Sequence, residues 1–285
     1  MGEITAGAIV EPAARALALA GVDSPRMTAE LLLAHVLGGD RVRVLAHPEA
    51  TVDQRAAAEF ERLVERAARA EPLAYLTGTR EFYGIPLRVT PDVLIPRPET
   101  EILVERALAL TAGAPVRFAD VGTGSGAIAI AFAGGSPGSR GWACDVSRRA
   151  LDVARENARA SGAAAQIEFV GADLLESFGA RPVFDLVMSN PPYVAEAERG
   201  RLPRSVSGYE PHGALFAGDS GLDVFRRLIP QAAVRLRAGG FLLVEVGLGQ
   251  ADAVAALVRA AALTVVEIAP DLQGIPRCVA ARRTV

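Results

Sequence analysis

The stretch FDLVMSNPPY, residues 184–193, is a largely apolar run that leads, after one serine, into an asparagine, two prolines and a tyrosine. The run Phe184 to Met188 has the length and composition of a strand buried in a parallel sheet. Pro191 and Pro192 end the strand, because proline cannot donate to a sheet ladder and fixes φ. The stretch therefore predicts a rigid loop at the carboxyl end of a strand, the edge at which open α/β sheets bind ligands.

The composition of this loop indicates which chemical group it binds. Asn190 offers an amide oxygen as a hydrogen-bond acceptor, and Pro191 offers a carbonyl oxygen on a stiff backbone. Two fixed acceptors can hold both hydrogens of an NH2 group, while Tyr193 offers a flat face to a planar amide or nucleobase. A turn that only closes a strand is the alternative, and it is favoured for Pro-Pro alone. The full tetrapeptide, downstream of a glycine loop, favours binding of a planar NH2 group.

A second change from strand to loop lies upstream, where the strand predicted at 116–121 leads into a helix predicted at 127–133. The loop between them consists of Gly122, Thr123, Gly124, Ser125 and Gly126. Glycines let a ligand approach the backbone closely, and a strand–glycine loop–helix unit is typical of ligand sites. The spacing is G-x-G-x-G and not the G-x-G-x-x-G of dinucleotide-binding proteins. Alone, this loop is equally consistent with a tight turn.

Acidic residues follow the next two predicted strands, 141–145 and 166–170. Asp145 ends the first of them, about 20 residues after the glycine loop, where a carboxylate can accept both ribose hydroxyls of an adenosine. Asp145 or Ser147 could instead cap the helix predicted at 148–160, and the two roles are compatible. Asp173 could accept from an adenine amino group and Leu174 could cover the ring, or both could be ordinary loop residues.

The N-terminal part of the chain differs in texture from the rest. Apolar residues recur at helical spacing and predict three helices, at 6–20, 28–37 and 53–70, with Thr28 as a cap of the second. We expect a small helical bundle. Residues 71–101 are rich in proline, and 82–89 fits a β-hairpin within a linker.

From residue 116 onward, strands and helices alternate to the end of the chain, which predicts a doubly wound sheet. The later elements are predicted at 222–236 (helix), 241–246 (strand), 250–262 (helix), and 264–269 and 277–281 (closing hairpin). The connection 195–220 is long, and long loops in compact domains are often functional. We therefore favour substrate contact over a solvated loop for this segment.

Composition excludes several classes of protein. With 51% hydrophobic residues and a net charge of −3, the chain of 285 residues predicts a large core and argues against a broad nucleic-acid surface. All 30 basic residues are arginine. Cys144 and Cys278 form no metal-ligand or disulfide pattern, so no metal is expected. Without a signal peptide or a membrane-spanning run, we expect a cytoplasmic protein with no membrane partner. No spare apolar helix face is evident, which favours a monomer.

Six segments that carry these features occur in a fixed order. They are LTGTREFYG (76–84), LIPRPETE (94–101), DVGTGSGAIAIA (120–131), SNPPYV (189–194), YEPHGALFAGDSGLD (209–223) and GGFLLVEVG (239–247). As a set they resemble the protein-(glutamine-N5) methyltransferases of the PrmC/HemK family. The resemblance covers about residues 70–283, and the helical N-terminus agrees in size and texture.

This resemblance implies a domain organisation and a reaction. Residues 1–72 would form an N-terminal helical substrate-recognition domain and 73–98 a hairpin linker. Residues 99–285 would form a seven-stranded, Rossmann-like methyltransferase domain. The donor would be S-adenosylmethionine, leaving S-adenosylhomocysteine. The substrate would be the glutamine of the Gly-Gly-Gln loop of class I peptide chain release factors, a modification that supports translation termination, with no direct nucleic-acid partner.

The resemblance also assigns roles to individual residues. The catalytic motif would be Asn190, Pro191, Pro192 and Tyr193, in which Asn190 and the Pro191 carbonyl hold the target amide and Tyr193 packs on it. The donor would be bound by Gly122, Thr123, Gly124, Ser125, Gly126, Asp145, Asp173, Leu174 and Asn190. Some relatives carry an aromatic residue at the position of Leu174. Phe82 and Arg97 are expected to line the donor cavity.

Three other functions share part of this pattern. A DNA adenine methyltransferase shares the donor site and the Asn-Pro-Pro-Tyr motif, but it must flip a base and usually has a basic recognition region. The net charge and the small helical N-terminus argue against it. A donor-binding protein without catalysis is the second alternative, and a nicotinamide dehydrogenase, for which the glycine spacing is wrong, is the third.

Overall fold

A computed structural model of the chain describes residues 4–284. They belong to two compact units. The first contains the residues up to Thr79 together with Pro203–Tyr209, and the second contains Arg80–Leu202 with the residues from Glu210 onward. The domain boundaries at residues 72 and 98 stay a prediction.

The helices and strands are as follows. The helices are α1 (Ala6–Leu19), α2 (Pro25–Val36), α3 (Arg41–Ala46), α4 (Gln54–Ala68), α5 (Leu73–Thr77), α6 (Glu101–Thr111), α7 (Ala127–Gly135), α8 (Arg148–Ala160), α9 (Arg204–Ser207), α10 (His212–Leu215), α11 (Asp223–Arg235) and α12 (Ala251–Ala260). The strands are β1 (Thr79–Phe82), β2 (Ile85–Arg88), β3 (Arg117–Val121), β4 (Arg140–Asp145), β5 (Ile167–Gly171), β6 (Phe184–Ser189), β7 (Leu236–Glu245), β8 (Thr264–Pro270) and β9 (Pro276–Arg282). Short 3₁₀ turns occupy Pro98–Thr100 and Glu196–Arg201.

The first unit is built on a helical core, as its apolar periodicity predicts. Leu17, Leu32 and Phe60, from α1, α2 and α4, are buried together. The Asp53 side chain caps α4 by accepting from the Ala56 amide at 2.7 Å. Helix α2 begins at Pro25 and not at Thr28, because proline is well suited to the first turn of a helix.

The second unit contains one seven-stranded sheet with the order β5-β4-β3-β6-β7-β9-β8. Neighbouring strands from β5 to β7 are parallel, and β9 is antiparallel to both β7 and β8. The chain order reverses between β3 and β6, so the crevice at their carboxyl ends is the expected ligand site. These ends lead into the glycine loop and into Asn190. The predicted doubly wound, seven-stranded fold is confirmed.

Side chains alternate between the two faces of this sheet. Phe118 of β3 packs with α6 and α7 on one face, and Ala119 and Val121 pack with α11 and α12 on the other. Burial on both faces explains why these strands are nearly continuous apolar runs. The predicted β-hairpin is formed by β1 and β2, which are joined at Tyr83 and Gly84 with φ of 53° and 74°.

Two segments differ from the prediction. The connection 195–220 is not a plain loop, since it contains a 3₁₀ turn and the short helices α9 and α10. Strand β7 begins at Leu236, before the predicted start at 241, because Leu236 pairs with Phe184 across an irregularity in the register.

Within residues 4–284 the structure has no helix that is both long and apolar enough to cross a membrane.

Candidate active site

The glycine loop between β3 and α7 has a backbone that favours glycine. Gly122 and Gly124 have φ of 72° and 54°, and a Cβ at either position would meet nothing within 4 Å. The loop is therefore open on this side, and glycine is favoured by backbone conformation and not by crowding. The amides of Gly122 and Thr123 both donate to the Cys144 carbonyl at 2.9 Å, which ties the loop to the end of β4.

Asp120, near the end of β3, holds the loop from beneath. Its Oδ2 accepts from the Thr123 hydroxyl at 2.6 Å and from the Ala129 amide at 3.2 Å. Burial raises the pKa of Asp120 to about 7, and the two hydrogen bonds oppose this shift. The other oxygen, Oδ1, is buried with no hydrogen-bond partner within residues 4–284. A buried carboxyl group thus fixes both the loop and the start of α7.

Asp145 faces the same loop from the end of β4. Its Oδ2 accepts from the Gly124 amide at 3.0 Å, and its Oδ1 accepts from the Ser147 amide at 2.9 Å. The cap of α8 is Ser147, whose hydroxyl accepts from the Ala150 amide. Asp145 is therefore not the helix cap, and its carboxylate lies at the crevice. Burial raises the pKa of Asp145 despite these hydrogen bonds.

Two neighbouring cavities lie at the switch point of the sheet. The larger, of about 270 Å³, brings together most of the predicted donor-binding residues: Gly122, Gly124, Asp145, Asp173, Leu174 and Asn190, with Pro192. The smaller, of about 50 Å³, is lined by Thr123, Ser125, Arg97 and Thr100 and shares Gly122, Gly124 and Asn190 with the larger. Gly126 lies behind the loop as the N-cap of α7. Phe82 is instead a core residue, 1% exposed, so its expected place in the donor cavity is not observed.

Asn190 begins the loop that follows β6. Its Nδ2 donates to the Thr100 hydroxyl at 3.0 Å, which leaves the amide oxygen as the acceptor on the other branch of the side chain. The Ser189 hydroxyl donates to the Val121 carbonyl at 2.7 Å and joins the ends of β6 and β3. These bonds hold the Asn190 amide beside the glycine loop.

Tyr193 is held from the side of the core. Its hydroxyl donates to Oε1 of the buried Glu245 at 3.2 Å, and its carbonyl accepts from Gln250 Nε2 at 2.9 Å. Neither Tyr193 nor Pro191 is among the described residues that line the two cavities. Packing of Tyr193 on the target amide therefore stays a prediction.

Comparison with known proteins agrees with this architecture. A family model described as the PrmC N-terminal domain matches residues 8–78, and one described as the methyltransferase small domain matches 98–202. Release factor glutamine methyltransferase from Koribacter versatilis is 42% identical over 96% of this chain and 96% of its own length. The protein of that name from Bordetella pertussis is 43% identical over 91% of this chain and 95% of its own.

The chain belongs to the release factor glutamine methyltransferase family. Membership makes it an S-adenosylmethionine-dependent methyltransferase. Among solved structures, a methyltransferase from Pyrococcus furiosus superposes with a TM-score of 0.55 at 16% identity, covering 78% of this chain and 99% of its own. At that identity the likeness concerns the fold alone.

The crevice of this family member fits the donor. A ribose needs acceptors for two hydroxyls, and Asp145 presents a carboxylate there. The open glycine loop offers backbone beside it, and the remaining lining of the larger cavity is mostly apolar, with Leu174 and Pro192 among it. Leu174 itself has a positive φ of 53°, and Asp173 is paired with Arg227, whose Nη2 lies 2.7 Å from Oδ2.

The sequence patterns do not single out several residues at the site. They are Asp120, Thr100, Glu245, Gln250, Arg227 and Glu210. Glu210 pairs with Arg97 and accepts from the Ile95 amide at 3.2 Å, which fixes the segment before α6. An acid inside an apolar strand, as at Asp120 and Glu245, is the one sequence feature that could have identified two of them, because buried carboxyl groups are rare without a partner.

Proposed function

We propose that the protein methylates the side-chain amide nitrogen of the glutamine in the Gly-Gly-Gln loop of class I peptide chain release factors, with S-adenosylmethionine as the donor. The observation that carries this proposal is the orientation of Asn190. Its nitrogen is committed to Thr100, so its oxygen is the atom that can accept from an NH2 group. The names of the relatives, which are release factor glutamine methyltransferases, support a glutamine amide as the bearer of that group.

When bound, S-adenosylmethionine supplies a methyl group already activated by a sulfonium centre. The chain would hold it with the backbone of Gly122–Gly126, with the Asp145 carboxylate at the ribose, and with Asp173 and Leu174 at the adenine. These residues need only bind and orient, because no proton has to be removed from the donor.

The harder task concerns the acceptor, because the lone pair of an amide nitrogen is conjugated with its carbonyl. Acceptors at Asn190 Oδ1 and at the Pro191 carbonyl would orient the NH2 group toward the methyl group. They would also stabilise the positive charge that develops on the nitrogen during in-line transfer. Pro192 and Tyr193 would keep this loop rigid.

Tyr193 is not a base in this scheme. Burial is the main cause that raises the pKa of Tyr193, and the nearby Glu245 carboxylate adds to it, so the hydroxyl stays protonated. It therefore acts as a hydrogen-bond donor to Glu245. Loss of a proton from the methylated amide can follow transfer and needs no strong base in the site.

The remaining assignments extend this proposal. Residues 1–72 would recognise the release factor, as a domain separate from the chemistry. The protein would act as a monomer in the cytoplasm, where release factors work on ribosomes, without direct contact with nucleic acid.

The test uses labelled S-adenosylmethionine and three acceptors. These are a release factor with the native Gly-Gly-Gln loop, the same factor with Gln→Ala in that loop, and duplex DNA. The expected result is label on the native factor alone. Mass spectrometry should locate the added methyl group on the glutamine. Label on DNA or on the Gln→Ala factor would overturn the proposal.

A matched pair of variants tests the role of Asn190. Asn190→Ala is expected to lower kcat by about 100-fold, as loss of one preorganised hydrogen-bonding group does, with donor affinity less affected. Gln166→Ala removes an amide of similar kind just before β5, at the opposite edge of the sheet, and serves as the control. Near-normal turnover of Asn190→Ala would contradict the mechanism.

A further inference from the structure

Glu245 is a buried acid directly behind the Asn-Pro-Pro-Tyr loop, residues 190–193. It is the last residue of β7, whose Val244 is paired with Ser189 at the end of β6. Its side chain is 1% exposed, in a position where an unpaired charge would be costly. A carboxyl group is kept there only at a cost in stability, which points to a use beyond packing.

The contacts of Glu245 converge on the two ends of the Asn-Pro-Pro-Tyr loop. Oε1 accepts from the Tyr193 hydroxyl at 3.2 Å. Thr100 lies near enough to the carboxylate to lower its pKa, although Oε2 has no hydrogen-bond partner within residues 4–284. Oε2 is thus a buried acceptor without a partner among these residues, and the nearby Thr100 hydroxyl, which can rotate, is its candidate donor.

Thr100 connects this carboxylate to Asn190. Its oxygen already accepts from Asn190 Nδ2 at 3.0 Å, and its own hydrogen is available for donation to another group. Glu245 is a carboxylate whose pKa Thr100 lowers, which places the two groups near each other. Donation from the Thr100 hydroxyl to Glu245 would join carboxylate, hydroxyl and amide in a chain. This chain would determine which branch of the Asn190 amide points to Thr100 and which is left for the substrate.

We propose that Glu245 is a positioning residue for methyl transfer, which fixes the Asn190 amide through Thr100 and the far end of the loop through the Tyr193 hydroxyl. This inference rests on the proposed role of Asn190 as the acceptor of the substrate NH2 group. Glu245 does not touch the substrate or the donor, and it acts on the reaction only through these two neighbours.

Other charged groups around Glu245 determine when it is ionised. Burial is the main cause that raises the pKa of Glu245, to about 7. Thr100, Tyr193 and Arg277 of β9 lower this pKa, and Glu99 of the turn before α6 raises it slightly. Cys278, its pairing partner in β9, has a raised pKa and stays neutral. The carboxylate that can accept from both hydroxyls is therefore lost on acidification through about pH 7, and kcat is expected to fall with it.

The experiment compares Glu245→Gln with the wild type in the full-length protein. Glu245→Gln keeps the shape and one acceptor but cannot accept from both Tyr193 and Thr100. It is expected to lower kcat by about 10- to 100-fold, as misplaced reacting groups do, with KM for the release factor nearly unchanged. The decline of kcat around pH 7 is expected to disappear. Glu168→Gln, an exposed acid of β5, is the control and should match the wild type.

A second pair of variants tests the chain without altering the acid. Thr100→Val removes the hydroxyl at nearly constant shape and is expected to lower kcat as Glu245→Gln does. Thr100→Ser keeps the hydroxyl and should restore most of the loss. The affinity for S-adenosylhomocysteine and the melting temperature, measured alongside, show whether each variant is folded and binds the donor product.

The outcomes separate this inference from the proposed function. Absence of label on the release factor with wild-type enzyme would overturn the proposed function. Normal label with wild type, together with an unchanged kcat and pH profile in Glu245→Gln, would overturn the positioning role alone. Equal losses in Thr100→Val and Thr100→Ser would do the same, because the hydroxyl would then be irrelevant.

Discussion

The backbone amide of Gly124 donates a 3.0 Å hydrogen bond to Oδ2 of Asp145. This bond joins the two parts of the proposed donor site, the glycine loop after β3 and the acid that ends β4. The second oxygen of Asp145 is bound to the Ser147 amide. Because both oxygens accept from backbone, the orientation of the carboxylate is fixed before any ligand arrives.

Asp145→Asn should therefore weaken donor binding strongly. An amide NH2 in place of one oxygen would face a backbone N–H of Gly124 or Ser147, donor against donor, and would present the wrong group to a ribose. We expect a loss of about 10- to 100-fold in affinity for S-adenosylhomocysteine, as for a charge-assisted hydrogen bond. Isothermal calorimetry measures it, with the exposed Asp252→Asn as the control. Equal affinity in Asp145→Asn and wild type would remove Asp145 from the donor site.

The local features of this fold could be predicted from the sequence. Strands β3 and β6 are buried on both faces, so each is a short, largely apolar run that is followed within two residues by glycine or proline. The Asp145 position follows from its spacing after the glycine loop. Such features depend on a few neighbouring residues and on the edge of the sheet that parallel strands share.

The supports of the site could not be predicted in the same way. Thr100 and Asn190 are 90 residues apart in the chain, and Tyr193 and Glu245 are 52 apart. Their contacts depend on how α6 and β7 pack around β6, and no local periodicity encodes that. For the same reason the hydrogen bond from the Tyr193 hydroxyl to Glu245 has no signal in the sequence, and packing of the Tyr193 ring on the target amide stays a prediction.

Asp120 should make the stability of the protein depend on pH. Its pKa is raised to about 7 in the folded state, so the fold holds a proton that the unfolded chain releases near pH 4. The free energy of unfolding should therefore decrease as pH rises from about 4 to 7. Asp120→Asn cannot ionise and lacks this contribution.

The measurement is urea unfolding of wild type and Asp120→Asn at pH 5 and pH 8. Between pH 5 and pH 8, the free energy of unfolding of the variant should rise by about 1–3 kcal/mol relative to that of wild type. This is the order of magnitude that corresponds to the raised pKa of Asp120. Glu245 is present in both proteins, so its contribution cancels. If wild type and Asp120→Asn differ in stability by the same amount at pH 5 and at pH 8, Asp120 is already ionised in the folded protein.

Asp173 and Arg227 form an ion pair at the wall of the larger cavity, with 2.7 Å between Oδ2 and Nη2. S-adenosylmethionine carries one more positive charge than S-adenosylhomocysteine. Arg227→Met removes a positive charge from the wall and should raise the affinity for S-adenosylmethionine relative to the product. Asp173→Asn should change this ratio in the opposite direction.

Both effects should be small, about two-fold, because the pair is half exposed and the charges act through a high effective dielectric. Calorimetry with each ligand at low and high salt checks the sign and the screening, since salt should reduce both changes. A change of the same sign in the two variants would mean that cavity shape, and not charge, controls the ratio.

Gly221 allows the backbone of the Asn-Pro-Pro-Tyr loop to pass close to the start of α11. A Cβ at this position would lie 2.3 Å from the Tyr193 carbonyl oxygen and 2.7 Å from Gln250 Nε2, and φ is +69°. Gly162, after α8, has a similar φ of +78° but nothing within 4 Å of the added Cβ. The two glycines thus separate crowding from backbone conformation.

Gly162→Ala should lower the free energy of unfolding in urea by about 1–2 kcal/mol, because alanine is strained in the left-handed conformation. Its turnover should be normal. Gly221→Ala carries the same cost and must also displace Tyr193 and break the Gln250 bond to its carbonyl. We therefore expect a larger loss of stability and a fall in kcat that Gly162→Ala does not show. Equal stability and equal turnover in the two variants would mean that the loop can shift without consequence, and the rigidity assigned to the Asn-Pro-Pro-Tyr segment would be wrong.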